Sequence, residues 1–378
     1  MPPPPPHPIH VHALTNAKDD SNVKSALKIL EPHSPVSIPL HRRLQFGRFF
    51  EATTLLTSLA CFEAGPGPGP EDEEWIMAFV DRSCRPETEV WMYGSWEGGG
   101  IGEHGVPSAH QQQQQQDALI LSLIRSIKAL GPAPKSIHQD ILAKAAARAS
   151  ADKHTSSSDN DDLQDHSGVS RKDYTAHLLN PNLILFGATH SSTTQILTRN
   201  HVIKHVFDSG LVANWTFVFD IDDLPESATS LELPAGLHWG ELEQQHFVLV
   251  RSRTQIPRQD RTLAVLPNVA IFESQIGKPI AWVFVGLDGS LTTLHVEEEW
   301  RGKGLAKMIA VKIWREKMEV FWEKEEPRSG QKEKARRLAH DYVISGNEAS
   351  KKVSERLGGR HYADTFWIRV NLDSVSEA

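Results

Sequence analysis

At 378 residues the chain is long enough for two domains, each with a core of its own. A hydrophobic fraction of 39% and a charged fraction of 23% exclude fibrous and wholly disordered chains, and a formal net charge of -8 gives no global pull toward nucleic acid or anionic membrane, so an anionic ligand has to be held locally. The two cysteines, Cys61 and Cys84, are too few for a disulfide framework and lack paired zinc spacing. They fit a reducing compartment, cytoplasmic or nuclear. With no signal-like N-terminus and no run of ~18 apolar residues free of charge, the chain is expected to be soluble and unprocessed.

The opening "MPPPPPHPIHVHAL" reads as an extended, solvated lead-in, and residues 1–20 are expected to be a disordered Pro-rich tail. A short helix is expected from Val23 to Leu30. Two apolar runs, Trp75 to Val80 and Glu89 to Tyr93, flank a Cys-Arg-Pro-Glu turn as in an antiparallel hairpin. "GSWEGGGIGEHGVPSAHQQQQQQD" then loses all periodicity, so about 97–116 reads as a flexible insert. "DALILSLIRSIKALG" restores a helical apolar face, and a polar stretch at about 150–170 reads as a second disordered insert. "NLILFGATH" and "WTFVFDID" are strand-like, with a capped helix between them.

From Trp239 the expected order is a helix through Arg253, strands Asn268 to Glu273, Pro279 to Leu287 and Leu291 to Val296, and a helix from Gly302 to about Glu323. A strand Tyr342 to Ile344, a helix Asn347 to Leu357 and a strand Thr365 to Val370 follow. Asp288-Gly289 marks a hairpin. Antiparallel strands first and alternation afterwards imply an α/β class with a mixed, largely antiparallel sheet flanked by helices.

The chemical signal is "LHVEEEWRGKGLAKMIAVKIW", where Arg301, Gly302, Lys303 and Gly304 lie between a strand and an apolar helix. A helix start offers backbone N–H groups without intrahelical partners and a positive dipole end, which together hold an anion. Glycine removes the Cβ that would keep a phosphate away, and the basic side chains add charge-assisted contacts. A P-loop is excluded because Leu305 stands where the metal-binding hydroxyl belongs, and a dinucleotide fingerprint because Lys307 stands at its third glycine. A glycine turn with solvated basic side chains is the bland alternative.

"VEEEWRGKGLAKMIA" resembles the coenzyme A loop of the GNAT superfamily of acyl-CoA N-acyltransferases, Arg/Gln-x-x-Gly-x-Gly/Ala. "SGNEASKKVSERLGG" is similar to the superfamily's last helix, and "GKPIAW" before the loop is most similar to the glycine N-acyltransferase-like branch and its fungal-type members. The resemblance covers about 233–370. It implies a GNAT domain over 226–378 and a degenerate second copy of the fold over 21–225.

The resemblance further implies acetyl-CoA or another acyl-CoA as co-substrate, no metal, and an amine acceptor, small molecule or peptide, that attacks the thioester directly. Neither nucleic acid nor membrane is an expected partner. Leu294, His295 and Val296 would run along the pantetheine, and Arg301, Gly302, Lys303, Gly304, Leu305 and Ala306 would hold the pyrophosphate. Asn347 would position pantetheine or order the last helix. The family's proton-donating tyrosine falls at Ser354, the aromatic after its final glycine at Gly359, and the glycine-type basic glutamate at Ser290. Glu297, His295 and Glu273 remain as bases, Glu297 being nearest the strand's carbonyl end; alternation puts His295 on the face of Leu291 and Thr293. A non-catalytic acyl-CoA-binding sensor or interaction module on the same fold is the rival reading.

Overall fold

The computed structural model describes residues 8–14, 20–50, 52–60, 74–98, 109–135, 139, 143, 179–204, 210–225, 232–254, 258–322 and 336–375. The expected insert at about 150–170, Cys61 and most of the 323–337 charge run lie outside them. Two compact units result: Met1–Val212 with Thr365–Ala378, and Ala213–Asp364.

In the first unit, β1 (His10–Ala13), β2 (Thr53–Thr57), β3 (Ile76–Asp81) and β4 (Val90–Gly94) form an antiparallel series. Helices α1 (Ser21–Leu30) and α2 (Ile38–Gln45) lie in the chain between β1 and β2, and α3 (Ala109–Ala129) lies between β4 and β5 (Leu183–His190). β5 is parallel to β4, and α4 (Ser191–Arg199) follows it. Thr365–Asn371 of β12 (Arg360–Asn371) pairs antiparallel with β5. Alternate residues of β3 feed two cores, as the period of a strand dictates. Ile76, Ala78 and Val80 pack with Leu119, Leu123 and Ile127 of α3 and with Ile196 and Leu197 of α4. Met77 and Phe79 pack with α1 and α2. Helices α3 and α4 therefore cover one face of this sheet, and α1 and α2 the other.

The second unit repeats this order of elements. After β6 (Asn214–Asp220) come β7 (Leu237–Gly240), the helices α5 (Phe247–Arg253) and α6 (Asp260–Leu263), and the antiparallel strands β8 (Asn268–Glu273), β9 (Pro279–Val285) and β10 (Ser290–Val296). Helix α7 (Leu305–Glu316), strand β11 (Leu338–Ile344), parallel to β10, and α8 (Glu348–Arg356) complete it. β6 pairs antiparallel with β11, so the sheet order is β6-β11-β10-β9-β8-β7. The expected mixed sheet with a second copy is thus present.

Four elements differ from expectation, one being α7, which ends at Glu316 rather than at about Glu323. The lead-in is not wholly solvated, because His10–Ala13 pairs with Leu55 to Thr57 and Thr54 as β1. The glutamine run is helical, being the first part of α3: Gln112 and Gln116, one turn apart, donate to Glu74 Oε1 at 2.8 and 3.0 Å, a tertiary anchor that no local pattern shows. The expected helix from Trp239 is a strand, β7, followed by the short α5.

Candidate active site

β10 begins with two parallel rungs to β11, Ser290 with His340 and Leu291 with Asp341, and the pairing ends there. Against β9, Thr292 faces Phe284 but His295 faces Trp282, which is one residue too many on β10. This bulge is centred on Thr293, whose φ is +56°. From Thr292 to Val296 the strand keeps its partner on the β9 side only and is partly exposed. A wedge therefore opens between β10 and β11 in which backbone donors of β10 face no strand.

The bulge also corrects the expected face of His295. Directly opposed residues share a face, so His295 joins Thr292, Phe284 and Trp282, while Leu291 faces the other way with Asp341. Its ring stacks on Trp282 at 4.6 Å between centroids. Its Nε2 lies 3.5 Å from Glu297 Oε2. Glu297 is buried and held by Arg253 Nε at 3.2 and 3.3 Å from its two oxygens. Burial lowers the His295 pKa; Glu297 opposes that, and Arg301 and Arg253 add to it. The imidazole is thus neutral at pH 7. Arg258, on the same face, donates to Thr292 Oγ1 at 2.7 Å.

After the turn Glu298–Trp300, Arg301 folds back and its Nε donates to Val296 O at 3.0 Å, tying the loop to the strand end. The Lys303 ammonium sits 4.2 Å from the Trp300 ring centroid. Gly302 and Gly304 have φ of +77° and +82°, and a Cβ on either would meet nothing within 4 Å. Residues 301–304 are exposed, and Leu305 is buried as the first core residue of α7. Lys307 and Met308 N–H bond to Gly304 O. Among the described residues nothing accepts from the N–H groups of Gly304, Leu305 or Ala306, and no side chain caps the helix. Helix α7 is pinned by Leu305, Ile309, Ile313 and Trp314, so the loop is open but its base is rigid.

Asn347 caps α8, its Oδ1 accepting from Ser350 N at 3.1 Å. Asn347→Ala is expected to lower the urea midpoint by the equivalent of ~1 kcal/mol, the usual worth of an N-cap. Ser354 is buried and donates to Asp341 Oδ2 at 2.6 Å. Gly359 has no room for any larger residue: a Cβ there would lie 2.5 Å from Phe219 and 2.8 Å from Ser354 O. Ser290 donates to Asp288 Oδ1 at 2.7 Å. Glu273 ends β8 opposite Leu237, and among the described residues no bond joins it to His295 or Glu297.

The structure thus brings His295, Glu297 and the Arg301–Ala306 loop to one end of β10. Arg253, Arg258 and Asp341 were not anticipated. Each is an ordinary charged residue on a helix, loop or strand, and only the out-of-place Asp341 within "LAHDYVI" offered a signal.

At the equivalent place in the first unit, Trp96 Nε1 donates to Thr193 Oγ1 at 2.8 Å and Thr193 donates to the buried Glu97. Burial pushes the Glu97 carboxyl up to about 8. There β4 and β5 share the rung Val90–Phe186, and side chains bridge the space beyond it. Among the described residues, no group of three or more His, Cys, Asp or Glu could hold a metal ion, and no helix is long and apolar enough to cross a membrane.

The chain belongs to the family of the acyl-CoA N-acyltransferase verG N-terminal domain, whose model matches residues 9–214. That match spans most of the first unit, whereas β10 and the loop lie beyond it. No curated protein matches the chain. Among solved structures it is similar to a Drosophila protein at 11% identity and a TM-score of 0.54, over 95% of this chain and 98% of that one. That likeness is one of fold. Weaker likenesses are to a tandem GNAT protein from the clavulanic acid biosynthesis pathway (11%, TM-score 0.41, 97% and 99% covered) and to a GCN5-related N-acetyltransferase from Sphaerobacter thermophilus (11%, TM-score 0.40, 96% of each).

Proposed function

We propose that the second unit binds acyl-CoA and transfers its acyl group, acetyl being the simplest, to an amine by direct attack. The observation that carries this reading is the coincidence of the open β10–β11 wedge with N–H groups at Gly304, Leu305 and Ala306 that have no acceptor among the described residues. Those donors, Arg301 and Lys303 would hold the diphosphate, and the positive-φ glycines leave it room. The wedge-side N–H groups of Leu294 to Val296 would lie along the pantetheine and polarise the carbonyl oxygen. A bound acyl-CoA supplies the activated thioester carbonyl. His295, neutral and with Nε2 turned to Glu297, keeps Nδ1 to take the proton of the acceptor ammonium, while Arg253 fixes Glu297. The motif Gly277-x-Pro279-x-x-Trp282 supports the glycine N-acyltransferase-like branch, since Trp282 is the residue that orients His295.

The test is twofold: acetyl-CoA should raise Tm, and thiol release should follow with some member of a panel of small amines, amino acids and peptides. Absence of any Tm rise would sink the proposal. A silent panel with the Tm rise retained supports the sensor reading, which the internal bonding of Ser290 and Ser354 favours.

His295→Ala is expected to lower turnover about 10²-fold with the Tm rise intact. Because burial holds its folded pKa below the ordinary value, the base form predominates at pH 7, and kcat/KM should fall only below about pH 6.5, as its proton returns. A limb centred higher would assign the base elsewhere.

A further inference from the structure

Arg258 lies in the loop between α5 and α6. It is partly exposed, and its Nη2 donates to Thr292 Oγ1 at 2.7 Å. Its Nε is buried and, among the described residues, has no hydrogen-bond partner. Nor does Arg258 make an ion pair among them, whereas its neighbours Arg251 and Arg253 are paired with Asp260 and Glu297.

The acidic groups nearby are engaged elsewhere. Glu297 is held by Arg253 and faces His295, Asp288 accepts from Ser290 and interacts with Tyr342, and Asp341 is turned to the other face with Leu291. Arg258 therefore brings one uncompensated positive charge to the side of the wedge where His295 lies. A guanidinium with one N–H already withdrawn from water gains more from an anion than a fully solvated one, because part of its desolvation has occurred in the free protein. Thr292 also sets its direction before any ligand arrives. The register fixes a length. Thr292 faces Phe284 and His295 faces Trp282, two residues away on β9, so the anchor of the guanidinium and the imidazole are ~7 Å apart along the strand.

We propose that the acceptor is an amine bearing a carboxylate whose oxygens lie about six bonds from the nitrogen, the carboxylate held by Arg258 and the nitrogen presented to His295; this rests on the acyl-CoA reading of the same unit. An extended chain of about six bonds spans ~7 Å, which matches the separation of the two side chains. An α-amino acid has only about three bonds between nitrogen and oxygen, ~3.5 Å, and is too short to engage both. A free ω-amino acid such as 5-aminopentanoate and a dipeptide such as glycylglycine share the required chemistry. Arg258 is then a specificity-determining residue: it takes no proton, and by fixing the far end of the acceptor it aims the nitrogen at the thioester carbonyl.

The experiment measures kcat/KM with acetyl-CoA for 5-aminopentanoate and its amide, and for glycylglycine and its amide. In the wild type the acid should exceed its amide by at least about 10-fold, the worth of a hydrogen bond to a charged group. Arg258→Gln, which keeps a donor for Thr292 but no charge, should bring the ratio close to one. The ratio of glycine to glycinamide should not change on this substitution, because glycine does not reach Arg258; comparing each ratio before and after the substitution cancels differences in amine basicity. A preference confined to one of the two longer acids supports the proposal and tells a free ω-amino acid from a peptide. Equal rates for acid and amide in the wild type, a preference that survives Arg258→Gln, or turnover of neither pair with the acetyl-CoA-dependent Tm rise intact overturns the proposal and leaves acyl-CoA binding standing. Absence of the Tm rise overturns the acyl-CoA reading and this proposal with it. The wild-type comparison needs no variant, so it decides the matter should Arg258→Gln not fold.

Discussion

Gly304→Glu is expected to abolish the acetyl-CoA-dependent rise in Tm while leaving the unliganded protein folded. At a ligand concentration about 100 times Kd, the wild type gains about 2.7 kcal/mol from binding, and the variant should gain nothing. A carboxylate at the start of α7 would meet the diphosphate where its best donors are. The unliganded cost is separable. A Cβ at this position meets nothing within 4 Å, so the penalty is the +82° φ, about 1–2 kcal/mol. Gly304→Ala carries the same backbone penalty without the charge and should retain much of the ligand response. If the glutamate variant keeps the full rise, the loop is not where the ligand binds.

Glu89→Ala is expected to cost about 3–5 kcal/mol and to lower the melting of the first unit accordingly. Glu89 is fully buried between Arg82, at 3.3 Å, and Arg85, at 3.4 Å. Both guanidiniums also donate to backbone carbonyls: Arg82 to Gly131 and Pro181, Arg85 to Leu183 and Asn180. They therefore bind the loop before β5 to the turn before β4. Without the carboxylate, two cations remain in a place where water cannot reach them. Desolvation raises the Glu89 pKa even beside two arginines, a sign of how dry the site is. Glu89→Gln, which keeps the shape and one acceptor, should lose less. A drop below about 1 kcal/mol for the alanine variant would mean that the carbonyls alone satisfy the arginines.

What the sequence made legible is what depends on near neighbours in the chain. The glycine turn before α7 and the hairpin at Asp288-Gly289 are local, and each stands where spacing put it. Strand faces were legible only until a bulge intervened. The extra residue between Thr292 and His295 reverses parity, and nothing in "LTTLHV" distinguishes a bulged strand from a regular one. The helical glutamines were missed because their anchor, Glu74, is far away in sequence. Asp341 was missed because its chemistry comes from Leu291, Phe217 and Ser354, which only tertiary packing assembles. The Gly359 departure from the family pattern is explained by Phe219, on a strand from well before the loop.

The pairing of β12 with β5 has a consequence for synthesis. The first unit begins at the N-terminus, yet the strand that pairs with β5 is supplied by residues as late as Asn371. On a ribosome, most of that unit emerges long before its last strand exists, and β5 waits with one row of amides and carbonyls unmatched. Nascent chains stalled before Thr365 should therefore be protease-sensitive and prone to chaperone capture, and the order of translation, more than local stability, sets when this half of the molecule closes.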